Sequence, residues 1–164
     1  MQHPIRSALF AVAALTSVVS AGGPQSPDAP EASECPVVTS AAPIVHGLTV
    51  SQSETWSAAA GPHVVQGTTT LAAGATLTIK PCARVLFRRD AALVASQPGA
   101  RIVAEGTARR PITFTGDGGA RWGEVAVQHP ARASLRCARF ANGGGDRFHR
   151  HATISLRGDS MTPA

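Results

Sequence analysis

From His63 onward, short apolar runs alternate with Gly, Pro and polar breaks. Strands are expected at residues 64–66, 68–71, 76–80, 84–87, 92–95, 101–104, 112–115, 124–128, 135–140 and 153–156, with one more at 47–50. Within them, polarity alternates with a period of two, the pattern of a half-buried strand. Ala75, Leu77 and Ile79 fall on one face and Thr76, Thr78 and Lys80 on the other. Val85 and Phe87 oppose Arg84, Leu86 and Arg88; Ile112 and Phe114 oppose Thr113 and Thr115; Val125 and Val127 oppose Glu124, Ala126 and Gln128. No stretch sustains a helical period, and Gly and Pro recur too often for long helices. The expected fold class is all-β.

A repeat narrows the architecture. Gly74-Ala75-Thr76-Leu77 is echoed by Gly99-Ala100-Arg101-Ile102, and Val125 lies nearly as far again beyond Ile102. A period in the low twenties, holding several short strands, is that of one coil of a parallel β-helix. A β-sandwich is the competing architecture, but it favours tight hairpins, and only Asn142-Gly143 spells one. One coil cannot bury its inward residues alone; stacked neighbours do so. About three coils would bury Leu77, Ile79, Val85, Phe87, Ile102, Ala104, Ile112, Phe114, Val125 and Val127 together.

The N-terminal third has a different texture. Residues 1–21 read as a signal peptide: Arg6 precedes an apolar run at 8–19, and Val19-Ser20-Ala21 offers small residues for cleavage near Ala21. The run is shorter than the roughly 20 residues a membrane span needs, and no Cys follows it to anchor a lipid. The protein is therefore expected to be secreted or held at the cell surface, with no transmembrane segment. Residues 22–34 are rich in Pro, Gly, Ser and acids and are expected to be a disordered spacer. Residues 35–62, with Trp56 as an anchor, are expected to cap the coils; 63–157 form the coils and 158–164 a tail.

Charge is segregated. Residues 22–62 hold four acids and no Lys or Arg, whereas 63–164 hold 14 bases against six acids. All but Lys80 of those bases are Arg, a bias that a GC-rich gene also produces. Such a surface attracts an anionic polysaccharide or other cell-envelope component. No base-reading element accompanies it, so no specific nucleic-acid partner is expected.

An ordered set of segments resembles secreted bacterial right-handed parallel β-helix proteins of the pectin-lyase-like superfamily. After Trp56 come Gly61-Pro62-His63-Val64-Val65 and Gly74-Ala75-Thr76-Leu77-Thr78-Ile79-Lys80-Pro81-Cys82. Ile102-Val103-Ala104-Glu105-Gly106-Thr107-Ala108, Arg110-Pro111-Ile112-Thr113-Phe114-Thr115 and Trp122-Gly123 follow, and a Gly run closes 135–145. The resemblance implies the N-terminal coils of that fold. Two departures stand out: the family usually has more coils, and the residue after Pro81, commonly Gly there, is Cys82 here. The chain stops as a further coil begins, which reads as a truncated gene product or as an edge completed by edge-to-edge self-association.

Polysaccharide lyases of this fold use clustered acids to hold Ca²⁺. Here Asp90, Glu105, Asp117, Glu124, Asp146 and Asp159 are dispersed, and no carboxylate pair of the kind glycosidases need can be named. His149-Arg150-His151 could present two imidazoles on one strand face, but lacks a third ligand; His63 and His129 read as isolated. Gly158-Asp159-Ser160 resembles the nucleophile block of GDSL-type esterases, and only three residues follow Met161 to supply a base. Arg157-Gly158-Asp159-Ser160 also spells an integrin-type tetrapeptide, which reads as chance. No catalytic, cofactor-binding or metal-binding residue is nominated, and no cofactor is expected.

The chain has three cysteines, Cys35, Cys82 and Cys137. Alternation in 135–140 puts Leu135 and Cys137 inward, and Arg136 outward. Cys82 follows Pro81 at a corner, reachable from outside, and Cys35 ends the spacer. The expected disulfide is Cys35–Cys82, pinning the cap over the first coil. The expected function is an exported, non-catalytic β-helix acting as a structural or carbohydrate-binding and surface-binding module. The alternative is a fragment of a carbohydrate-active enzyme, a polysaccharide lyase or hydrolase, on the same fold.

Overall fold

The computed structural model describes residues 34–36, 42–145 and 153–158. The expected signal peptide, the expected spacer up to residue 33 and the expected tail from residue 159 lie outside the described residues.

The strands recur in sets of three, each set making one turn of a coil. They are β1 (Ile44–His46), β2 (Thr49–Val50), β3 (Glu54–Trp56), β4 (His63–Val65), β5 (Thr68–Leu71), β6 (Thr76–Ile79) and β7 (Arg84–Phe87). β8 (Ala92–Ala95), β9 (Arg101–Glu105), β10 (Ile112–Gly116), β11 (Val125–Gln128), β12 (Arg132–Arg136), β13 (Ala138–Phe140) and β14 (Ile154–Arg157) follow. Every third strand joins the same sheet. Sheet A is β1-β4-β7-β10-β13, sheet B is β2-β5-β8-β11-β14 and sheet C is β3-β6-β9-β12. All pairings are parallel, as in a parallel β-helix.

Coils are stacked from His63 onward, and β1–β3 form one more in front of them. Residues 44–56, expected as part of a capping segment, thus pair as a coil of their own: Ile44 opposes His63, Thr49 opposes Thr70 and Glu54 opposes Leu77.

The repeat that links Gly74 to Gly99 is structural. Leu77 pairs with Ile102, and Gly74 and Gly99 stack at one corner with φ of 73° and 72°. That left-handed geometry suits Gly because an L side chain is strained there. The step to Val125 is not a coil. Ile102 pairs with Ala133 in sheet C, and Val125 pairs with Leu93 in sheet B. The later coils are longer because corners at 106–111 and 117–124 carry extra residues. One of them is locked by Gly116, where an added Cβ would collide with the Ala120 carbonyl oxygen.

All ten expected core residues are buried. Aromatic rings fill the wider coils: Phe87 stacks on Trp122 at 4.1 Å and Phe114 on Phe140 at 4.7 Å. Burying the Trp122 indole requires a partner for its N–H, and it donates to the Ala141 carbonyl at 2.7 Å.

Candidate functional site

Three features carry polar chemistry: a corner tied by a disulfide, a buried ring cluster in the first coil, and an arginine-bearing outer face.

At the corner, Cys35 and Cys82 form the expected disulfide, with Cα atoms 5.2 Å apart. Cys82 has φ of 66°, so the position after Pro81 needs the left-handed conformation that Gly adopts freely. Its N–H donates to the Pro111 carbonyl, and the residue is buried rather than reachable from outside. Beside it, Glu34 is held by Arg109 through a 3.0 Å ion pair and a backbone hydrogen bond.

Cys137 overturns the expected inward placement: it is free and exposed. Its φ of 46° breaks the run 135–140 into β12 and β13. Alternation restarts after this left-handed residue, so Leu135, Ala138 and Phe140 pack on the core while Cys137 turns out.

The first coil holds a cluster that sequence reading misses. His63 is not isolated. It is buried in β4, stacked 5.1 Å from His46 and 5.3 Å from Trp56, and His46 lies 4.1 Å from Trp56. Glu54 accepts from the Trp56 indole at 3.2 Å and sits 3.7 Å from Nδ1 of His46. The register places these residues together: Ile44 opposes His63, so the inward positions 44 and 46 of β1 stack over positions 63 and 65 of β4. The step from Ile44 to His63 is shorter than the visible repeat from Gly74 to Gly99, so the repeat gives no hint of this register.

The outer face of sheet C is where the charge gathers. Arg101 of β9 opposes Arg132 of β12, and Glu105 opposes Arg136. Adjacent strands lie about 4.8 Å apart, so Arg101 and Arg132 bring like charges side by side, which costs folding energy. Across the corner, Thr113 lies between Arg84 and Arg139 on sheet A. Lys80 and Arg110 line the corner cleft of about 390 Å³ between these faces. All of these cationic residues are exposed. By contrast, β2, β5, β8 and β11 of sheet B carry no charged residue.

Among the described residues, the two strand carboxylates stay apart. Glu54 opposes Leu77 and Glu105 opposes Arg136, so neither strand carboxylate with a register partner faces another acid. Glu105 accepts from the Ser134 hydroxyl, and Glu124 is buried. Among the described residues, no three His, Cys, Asp or Glu side chains form a group that could hold a metal. Asp146, His149 to His151, Asp159 and Ser160 lie outside the described residues. His129 follows β11, its N–H donating to the Arg157 carbonyl at 2.9 Å. No helix among the described residues is long and apolar enough to cross a membrane.

Compared with protein-family models, curated proteins and solved structures, the chain matches none of them.

Proposed function

We propose that this protein is an exported, non-catalytic β-helix module, of the pectin-lyase-like kind, that binds an anionic polysaccharide of the cell envelope. The observation that carries the reading is the Arg101–Arg132 juxtaposition on sheet C. Arginines at directly opposed positions of neighbouring strands repel in the free protein, and a carboxylate or sulfate lying across them relieves that repulsion. Arg84, Arg139, Lys80 and Arg110 extend the same potential around the corner, while β2, β5, β8 and β11 stay neutral. A linear polyanion is the ligand such a one-sided face attracts. The Cys35–Cys82 bond suits an oxidising compartment, in keeping with export.

The test is equilibrium binding of the purified protein to polygalacturonate, with neutral dextran as control. Binding to the polyanion alone, with no shortening of the polymer, is expected. Equal affinity for dextran would remove the electrostatic reading, and chain cleavage would move the protein to the enzymes of this fold.

A further inference from the structure

The seam between the first two coils is built around a titratable ring. His63 of β4 is 2% exposed, and both of its ring nitrogens are engaged, one by the Ser57 carbonyl and one by His46. The carbonyl only accepts, so the other nitrogen, Nδ1, is left to accept from His46. Trp56 stacks on the ring from β3, and Val85 opposes it from β7. The charged group that acts on both imidazoles is Glu54, which lies 3.7 Å from Nδ1 of His46. A proton added to His46 has a carboxylate beside it. A proton added to His63 has no acceptor and would set N–H against N–H.

Backbone pairing across this seam is short. β1, β2 and β3 have three, two and three residues, against five each in β9 and β10. Few interstrand hydrogen bonds hold such strands, so the ring cluster around buried Trp56 carries much of what fastens this coil to the next. The coil is also anchored on both sides. The Cys35–Cys82 bond ties the chain ahead of β1 to the corner of the second coil, and β4 follows on from β3. Once released, the coil is a loop fixed at both ends, which limits the entropy opposing its return.

We propose that acid opens the first coil alone: protonation of His63 breaks the ring cluster and frees β1, β2 and β3 from β4, β5 and β6, while the coils beyond stay folded. Burial holds both imidazoles below their ordinary range while the coil is closed. A ring that titrates near 6.5 when open and takes no proton when closed favours opening about thirtyfold from about pH 7.5 to about pH 5.

The test is hydrogen–deuterium exchange of the full, disulfide-bonded chain at those two pH values, with rates corrected for the intrinsic pH dependence of amide exchange. At the lower pH, protection in β1 and β3 should fall at least about tenfold more than in β10 and β11. His63→Asn should remove this step. If that variant opens the coil at both pH values, Glu54→Gln decides. It keeps an acceptor for the Trp56 indole and loses the charge that favours protonated rings in the closed coil, so the step should begin at a higher pH. Equal loss of protection in all coils overturns the proposal, as does unchanged protection in β1 and β3. So does a step that persists in His63→Asn, or one that Glu54→Gln leaves in place or moves to lower pH.

Discussion

Nε2 of His46 lies 2.9 Å from Nδ1 of His63. The direction of this hydrogen bond follows from the far side of His63. There Nε2 lies 3.0 Å from the Ser57 carbonyl, which can only accept. In the neutral pair the His63 Nε2 therefore carries its proton, Nδ1 is the acceptor and His46 donates. A proton added to His63 would sit on Nδ1, against the donor from His46.

This pair makes stability depend on pH. Burial lowers the His46 pKa most, the charge of His63 lowers it further, and Glu54 acts in the opposite sense. Burial also lowers that of His63, against the Ser57 carbonyl and Glu54. The unfolded chain protonates these rings near pH 6.5 and the folded chain only lower, so the unfolded state binds more protons in between. Stability is full above that pH and is lost as pH falls toward the folded-state values. Tm should drop between about pH 7 and pH 5, and the drop should shrink in His46→Asn/His63→Asn. An equal drop in that double variant would show that other groups set it.

The disulfide closes a separation of 47 residues. In the chain-entropy model a loop of that length contributes about 4 kcal/mol. Cys35→Ser should lose roughly that much in denaturant unfolding, with the midpoint moving and the β spectrum retained. A loss near zero would mean that residues 34–36 are held by the Glu34–Arg109 contacts alone.

Two glycines should respond differently to Ala. At Gly74 φ is 73° and nothing lies within 4 Å of an added Cβ, so Gly74→Ala should cost about 1 kcal/mol of backbone strain. At Gly116 the backbone is ordinary, with φ of −70°, but the Cβ would collide with the Ala120 carbonyl. Gly116→Ala should cost about 3 kcal/mol or more. Thermal melts of both variants check the order, and the reverse order would contradict the corner geometry.

Cys137 is exposed while Cys35 and Cys82 are bonded to each other. A thiol reagent should label the native protein once, at Cys137, without denaturant or reductant. Peptide mapping locates the label. Protection of Cys137 until unfolding would restore the inward reading.

The strands are legible in sequence wherever alternation and a repeated Gly corner coincide, as at Gly74 to Ile79 and Gly99 to Ala104. The core column follows from them, because a parallel coil turns period two directly into inside and outside. Cys137 is misread because only its left-handed φ interrupts an otherwise continuous alternation, and no Gly or Asn marks the break. The Ile102–Val125 step fails because corner length varies from coil to coil. The His46–His63–Trp56 cluster is invisible: β1 and β3 have three residues each, too few for a period, and the contacts arise only from the register between coils. The arginines of sheet C are visible as composition, but their pairing as Arg101 opposite Arg132 needs the longer coil that the repeat does not reveal.

The most direct measurement compares the protein with Arg101→Ser/Arg132→Ser in polygalacturonate binding across a salt series. Both positions are exposed and on the outer face, so the fold should persist with unchanged circular dichroism. Affinity should fall as salt rises, and it should be at least about tenfold weaker in the double variant, with a shallower salt dependence. Equal affinity and equal salt dependence in the two proteins would contradict the assignment of sheet C as the binding face.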